Sequence, residues 1–154
     1  MARKIVVTGA NGGLGTHITQ YLLDEGYEVY GTIIPGGSDP EKEKAGFMNN
    51  YNLQLDVVDA LNEEEVNDYL SHIGDVYGAV LTAGGFQMTP FLKTGMKDLE
   101  KMLDLNFKTA FHYARPLAEI IRKAGQGRIF MIGSKPAVEK GGKALTSYAI
   151  SKHM

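Results

Sequence analysis

The sequence predicts an α/β protein with a doubly wound parallel sheet, in which helices cover both faces of the strands. The first observation is that short apolar runs alternate with longer amphipathic segments along the 154 residues. The second is that several of the short runs are almost continuously apolar, as expected of strands buried on both faces. A repeated strand–helix–strand order of this kind is typical of a parallel sheet with right-handed crossovers.

The short apolar runs predict the strands Lys4–Thr8, Glu28–Ile33, Tyr51–Asp56, Val76–Thr82 and Arg128–Gly133. The amphipathic segments predict the helices Leu14–Glu25, Glu63–Ile73 and Lys97–Lys123. The segment Ile34–Met48 is rich in glycine and proline, so it predicts a loop with one helical turn and not a linker between domains. Pro116 lies inside the longest helix and is expected to kink it or to mark a change of register.

Length, composition and charge bound the possible functions. At 154 residues the chain predicts one domain, long enough to bury a core. The formal net charge of −2 gives no electrostatic reason to expect nucleic acid or an anionic membrane as a partner. No apolar stretch approaches the ~20 residues of a membrane span. The absence of cysteine fits a cytoplasmic location, and the histidines lack metal-ligand spacing, so no metal site is expected.

A glycine-rich stretch follows the first predicted strand directly, and reads Thr8-Gly9-Ala10-Asn11-Gly12-Gly13-Leu14-Gly15. Glycines at a strand-to-helix junction permit a tight turn and let the backbone approach a phosphate. The helix N-terminus then supplies free N–H groups and a partial positive charge. The stretch therefore predicts the pyrophosphate site of a dinucleotide in a Rossmann-type fold. Its expected contact residues are Gly9, Asn11, Gly12, Gly13, Leu14 and Gly15.

The end of the second predicted strand bears on which dinucleotide is bound. NAD-binding chains usually place an acidic residue about 20 residues after the glycines, where it binds the ribose 2′-hydroxyl. Here the strand ends Thr32-Ile33-Ile34, with no acid between Glu28 and Asp39, and the next basic residue is Lys42. Because no carboxylate repels a 2′-phosphate, NADP is slightly favoured, and NAD stays open. We expect Ile33→Asp to shift the preference toward NADH.

Tyr148 and Lys152 have the i, i+4 spacing that places two side chains on one face of a helix. They follow Asn106 in the long predicted helix and Ser134 at the end of the fifth predicted strand. Reduction of a ketone leaves an alkoxide that must be protonated, and a tyrosine of pKa about 10 needs a neighbouring positive charge for this task. A hydroxyl donor such as Ser134 is suited to a developing oxyanion.

The glycine pattern, followed in order by Asn106, Ser134, Tyr148 and Lys152, resembles the short-chain dehydrogenase/reductase family of the short, non-extended type. The resemblance covers essentially the whole chain. It implies that Tyr148 is the catalytic acid/base, and that Lys152 lowers its pKa and holds the nicotinamide ribose. It further implies that Ser134 orients the substrate carbonyl, and that Asn106 positions a water in a proton relay.

The resemblance also implies further cofactor contacts, at Asp56, Val57, Ala83, Gly84, Tyr148 and Lys152. Asp56 stands where the family contacts the adenine amino group. The family usually has Asn-Asn-Ala-Gly after the fourth strand, whereas this chain has Leu81-Thr82-Ala83-Gly84. We therefore expect the local geometry at Thr82 to differ from that of the family.

The expected function is that of an NAD(P)-dependent, ketoreductase-like oxidoreductase. It transfers a hydride between nicotinamide and a small-molecule carbonyl or secondary alcohol. Two alternatives stay open. Gly9, Gly12 and Gly15 also fit the GxxGxxG pattern of extended-type nucleotide-sugar epimerases and dehydratases, which use the same Tyr and Lys. A non-catalytic nucleotide-binding regulator would keep the glycines without turnover.

The family's fold continues with further strands beyond the position of Met154. We therefore expect residues 1–154 to be an NAD(P)-binding Rossmann domain that lacks its C-terminal portion. The long helix carries one apolar row of Leu99, Leu103, Phe107 and Ala110. A second row consists of Met102, Leu105, Tyr113 and Leu117. Because a helix with one neighbour needs a single apolar stripe, the second row predicts a subunit interface in a homodimer or homotetramer.

Overall fold

A computed structural model of the chain describes residues 2–48, 50–139 and 144–153. They contain a five-stranded parallel sheet with the strand order β3-β2-β1-β4-β5. The strands are β1 (Lys4–Thr8), β2 (Glu28–Ile33), β3 (Leu53–Val57), β4 (Gly78–Leu81) and β5 (Arg128–Met131). The predicted fold class is confirmed, and the strand order reverses between β1 and β4.

Helices cover both faces of the sheet. They are α1 (Gly13–Asp24), α2 (Pro40–Gly46), α3 (Glu63–Ile73), α4 (Met96–Leu103), α5 (Thr109–Ala124), α6 (Lys135–Val138) and α7 (Thr146–His153). Alternate residues of β1 point to opposite faces, so Val6 packs in one core cluster while Ile5 and Val7 pack in the other. The Val6 cluster includes Leu70 and Leu117 from the helices on its face. No helix among the described residues combines the length and apolar character needed to cross a membrane.

Most of the predicted segments differ from the structure by one or two residues at an end, and two differences have a clear local cause. The third strand begins at Leu53 and not at Tyr51, because the Asn50 side chain accepts a hydrogen bond from the Asn52 N–H at 2.9 Å and forms a turn. The segment Ile34–Met48 contains the seven-residue helix α2 and not one turn. Its Asp39 N-cap accepts a hydrogen bond from the Glu41 N–H at 3.0 Å, and a proline occupies the favourable first turn.

The long predicted helix contains a change of register, at a different place from the one expected. A π-helical turn at Asp104–Lys108 joins α4 to α5, whereas Pro116 lies within α5. The turn adds a residue to the helix and so rotates the face that α5 presents to the sheet. The buried residues of the helix before, within and after the turn are Met102, Asn106, Thr109, Tyr113 and Leu117.

This register corrects the interpretation of the second apolar row. Met102, Tyr113 and Leu117 belong to that row, and each is at most 1% exposed within this one chain. Their burial needs no second subunit, so the reasoning from this row to an interface is wrong. The homodimer or homotetramer itself stays a prediction.

Candidate active site

The turn between β1 and α1 leaves no space for side chains at its centre. Gly9 has a φ of 63°, in the left-handed region that favours glycine. The Gly12 N–H donates to the Gly9 carbonyl at 2.9 Å and closes the turn. A Cβ atom on Gly15 would lie 2.0 Å from the same carbonyl oxygen. The N-cap of α1 is Gly12, which provides no side-chain cap, so the first N–H groups of the helix are available to an anion.

A cleft of about 330 Å³ lies at the carboxyl edge of the sheet, next to this turn. Its walls come from the segments that follow β1, β2, β3 and β4. Ligands of open α/β sheets bind at this edge, where the strand order reverses. The predicted cofactor contacts that line the cleft are Gly9, Asn11, Gly12, Gly13, Leu14, Gly15, Ala83 and Gly84.

Asp56 and Val57 lie in β3, before the part of the chain that lines the cleft. The Asp56 carboxylate accepts a hydrogen bond from Gln54 Nε2 at 3.1 Å. The lining starts at Val58 and includes Asp59, which the sequence reasoning missed. The Asp59 carboxylate accepts a hydrogen bond from the Leu61 N–H at 2.9 Å. Contact of Asp56 and Val57 with the adenine stays a prediction. Asp59 is the acidic residue that lines the cleft.

Two neighbouring residues at the end of β2 line the cleft, and they differ in exposure. Ile33 is 1% exposed, whereas Ile34 is 65% exposed. An aspartate at position 33 would bury an unpaired carboxylate, which costs stability. Ile34 is therefore the better position for a charged side chain at the cleft, and the effect of Ile33→Asp on nucleotide preference stays a prediction.

Thr82 replaces the asparagine that the family usually has, and it still joins two strands. Its hydroxyl donates to the Thr8 carbonyl at 2.5 Å, and the Ala83 N–H donates to the Thr8 hydroxyl at 3.1 Å. These bonds hold the ends of β1 and β4 together at the edge that carries the cleft. Thr82 and Ala83 therefore form a hydrogen-bonded part of the cleft wall.

Asn106 lies in the π-helical turn and is 7% exposed. Its Oδ1 accepts a hydrogen bond from the Gly85 N–H at 2.9 Å, and its Nδ2 donates to the Gly85 carbonyl at 3.0 Å. Nδ2 also donates to the hydroxyl of Ser151 at 3.0 Å, and that hydroxyl donates to the Tyr148 carbonyl at 2.8 Å. One buried amide thus joins the segment after β4, the long helix and α7.

Ser151 was missed by the sequence reasoning, although its place next to Lys152 on the same helix was visible. It is 2% exposed, so its hydroxyl needs the partners that Asn106 and Tyr148 supply. The network fixes the position of α7, which carries both Tyr148 and Lys152. The side-chain amide of Asn106 bonds Gly85 and Ser151 in this arrangement, and its role in positioning a water stays a prediction.

Lys152 lies behind the cleft, beside Gly84. Its Nζ donates to the Ile132 carbonyl at 3.1 Å, and partial burial lowers the pKa of the ammonium. A Cβ atom on Gly84 would lie 3.4 Å from this Nζ and 2.6 Å from Asn106 Oδ1. Gly84 therefore separates the cleft from Asn106 and Lys152 with no side chain of its own.

Tyr148 and Ser134 are the remaining predicted catalytic residues. The ring of Tyr148 is half-buried and meets the ring of Phe86 edge to face, with centroids 4.8 Å apart. The Ser134 hydroxyl is buried and has no hydrogen-bond partner within the described part of the chain. A buried hydroxyl without a partner is expected to bind a ligand or an ordered water. Across residues 2–48, 50–139 and 144–153, no group of three acidic or histidine side chains is placed to hold a metal ion.

The Asn106 network predicts a large effect of one substitution on stability. Asn106→Ala leaves the Gly85 peptide and the Ser151 hydroxyl without their partner, so we expect the free energy of unfolding to fall by about 2 kcal/mol. Urea denaturation followed by circular dichroism measures this change. Asn67→Ala is the matched control, because Asn67 is exposed within α3. Equal stabilities of the two variants would show that the network contributes nothing.

The chain matches the family model described as short chain dehydrogenase over residues 3–154. It is 29% identical to an acetoacetyl-CoA reductase from an Acinetobacter species, over 96% of this chain and 61% of that protein. It is also 29% identical to a 3-oxoacyl-(acyl-carrier-protein) reductase from Rickettsia typhi, over 96% of this chain and 59% of that protein. The chain thus spans about three fifths of the length of these curated relatives.

Solved structures support the same fold. One is described as ElxO with NADP bound; it has a TM-score of 0.89 and 22% sequence identity. The alignment covers 99% of this chain and 63% of that one. At this identity the likeness shows a shared fold.

Proposed function

This chain belongs to the short chain dehydrogenase family, and we propose that it is an NAD(P)-dependent oxidoreductase acting on a carbonyl or secondary alcohol. The observation that carries the proposal is the junction at Gly84. There a cleft bounded by the glycine-rich turn meets Asn106 and Lys152, with only backbone between them. Two of the curated relatives are named as an acetoacetyl-CoA reductase and a 3-oxoacyl-(acyl-carrier-protein) reductase, so a 3-oxoacyl thioester is the first substrate to try.

The residues around the cleft fit a dinucleotide. Side chains are excluded at Gly9 and Gly15, and the first turn of α1 has free N–H groups that suit a pyrophosphate. The end of β2 carries no carboxylate to repel a 2′-phosphate, which favours NADP over NAD. When bound, the nicotinamide ring supplies the donor or acceptor of a hydride.

Each of the catalytic side chains has a separate role in this proposal. In the direction of reduction, the Tyr148 hydroxyl donates a proton to the substrate oxygen as negative charge develops there. The ammonium of Lys152 favours the tyrosinate that is left behind. The hydroxyl of Ser134 donates a hydrogen bond to the same substrate oxygen, which provides the partner that it lacks within the protein. Asn106 positions α7, and through it Tyr148 and Lys152.

The test is an assay of reduced-nicotinamide oxidation with a panel of ketones and 3-oxoacyl thioesters, together with a nucleotide-binding titration. We expect the nucleotide to bind and at least one carbonyl compound to be reduced. Nucleotide binding without any turnover would favour a regulator. Tighter binding of a UDP-sugar than of any ketone would favour an epimerase or dehydratase.

The exposed end of β2 predicts a change of nucleotide preference. Ile34→Asp places a carboxylate at the cleft, where it accepts a hydrogen bond from a ribose 2′-hydroxyl and repels a 2′-phosphate. We expect the ratio of NADH to NADPH affinity to rise by about tenfold. Fluorescence titration with each reduced nucleotide measures the ratio. Ile34→Asn is the matched uncharged control, and an equal ratio in both variants would contradict the assignment of this position.

A further inference from the structure

We propose that Phe86 determines substrate specificity, by forming a wall beside Tyr148 that selects a carbonyl compound with an apolar, preferably aromatic, substituent. This inference rests on the proposed function, in which Tyr148 contacts the substrate oxygen. The ring of Phe86 meets that of Tyr148 at an interplanar angle of 76°, with centroids 4.8 Å apart. Because the two rings are in contact, we infer that the substituent of a carbonyl held at the Tyr148 hydroxyl contacts the ring of Phe86.

The backbone that precedes Phe86, in the segment after β4, is held in place by hydrogen bonds. The preceding peptide, that of Gly85, is bound at both its N–H and its carbonyl by the amide of Asn106. A Cβ atom on Gly85 would lie 2.6 Å from the Leu105 side chain, so the backbone here packs directly on the long helix. The backbone that carries Phe86 is therefore fixed relative to α7, which is bound by the same amide.

The segment after Phe86 is held as well. The side-chain amide of Gln87 donates to the Thr89 hydroxyl at 3.1 Å and to the carboxylate of Asp98 in α4. Asp98 in turn accepts a hydrogen bond from the Gly95 N–H at 2.9 Å, and Thr89 pairs with Leu145 just before α7. These bonds fasten the segment at both of its ends, so Phe86 is a fixed wall in this arrangement.

The ring of Phe86 has a large free surface. It is 62% exposed, because the contact with Tyr148 uses only part of the ring. An aromatic residue held rigidly yet largely uncovered gains most from contact with an apolar group, and a flat ring offers stacking or edge contacts to an aryl group. We infer an apolar substituent on the substrate at this place.

Two diketones that differ in one group test the inference. In 1-phenyl-1,2-propanedione a phenyl group replaces one methyl of 2,3-butanedione, and both have the same reacting carbonyl pair. Dissociation constants are measured by nuclear magnetic resonance titration of the full chain with NADP present, and kcat and KM by oxidation of NADPH. We expect the phenyl compound to bind more tightly. We expect Phe86→Ala to raise its dissociation constant and KM by about tenfold, while those of 2,3-butanedione change by less than about threefold.

Leu92→Ala is the control, since Leu92 is an apolar residue of the same segment and is 95% exposed. We expect it to behave like the unchanged chain with both diketones. Phe86→Leu keeps an apolar side chain and should give an intermediate loss. Equal effects of Phe86→Ala on both compounds, no effect on either, or no preference of the unchanged chain for the phenyl compound would overturn the inference. If neither diketone is reduced while the binding difference persists, the assignment of Phe86 as the apolar wall stands and the proposed function fails.

Discussion

Tyr148→Phe is expected to lower kcat for carbonyl reduction by about a thousandfold, because it removes the proton donor. The substitution keeps the aromatic ring, and with it the contact to Phe86, so the position of α7 should not change. We expect the dissociation constant of NADPH to stay within about threefold, since one hydrogen bond to the ribose is the most that is lost. Steady-state oxidation of NADPH measures the first quantity, and fluorescence titration the second.

Tyr21→Phe is the control for removal of a tyrosine hydroxyl, because Tyr21 is exposed on α1. It should have the kcat of the unchanged chain. A Tyr148→Phe variant with normal kcat would exclude Tyr148 as the acid/base. Parallel loss of turnover and of NADPH binding would instead indicate that the residue only supports the cofactor cleft.

Gly15→Ala is expected to abolish nucleotide binding and to lower the free energy of unfolding by about 3 kcal/mol. The added methyl group would lie 2.0 Å from the carbonyl oxygen of Gly9. Since the clash is with backbone and not with a movable side chain, either the turn or α1 must shift. Chemical denaturation measures the stability, and fluorescence titration with NADPH measures the binding.

Gly13→Ala separates the two effects, since a Cβ atom on Gly13 meets nothing within 4 Å. We expect its stability to match that of the unchanged chain, while the methyl group at the cleft weakens NADPH binding by about tenfold or more. Gly46→Ala is the control for nucleotide binding, because a Cβ atom on Gly46 in α2 also meets nothing within 4 Å. Normal NADPH binding by Gly13→Ala would place the pyrophosphate away from the start of α1.

The sequence predicts elements best where local signals mark both of their ends. The bounds of β1, β2 and α3 agree with the structure residue for residue. In α3 the Asn62 side chain accepts hydrogen bonds from the Glu64 and Glu65 N–H groups, and Gly74 follows with a φ of 75°. An asparagine N-cap and a glycine at the C-terminal end are the residues that helix-capping preferences predict. The glycine-rich turn was likewise predictable, because its function lies in the absence of side chains.

Other features depend on contacts that no local pattern reports. Both Thr32 and Ile33 are buried at the end of β2, so alternation along the strand does not indicate which residue faces the cleft. Phe86 meets Tyr148 only after the sheet has brought the ends of distant segments together. The four-residue spacing of Tyr148 and Lys152 is evident in the sequence. The hydrogen bonds that Ser151 makes with Asn106 and with the Tyr148 carbonyl are not.

The π-helical turn at Asp104–Lys108 decides where this helix tolerates a change of length. Each residue advances an α-helix by about 100°, so deleting one residue between Thr109 and Tyr113 would swing the rest of α5 around its axis by that angle. Tyr113 and Leu117 would then leave the interior, and the smaller Ala114 and Ala118 would take their positions. A deletion inside the turn differs, because removal of the extra residue restores a regular helix and leaves α5 in place. A substitution in α5 thus acts on one side chain, whereas a change of its length acts on every residue that follows.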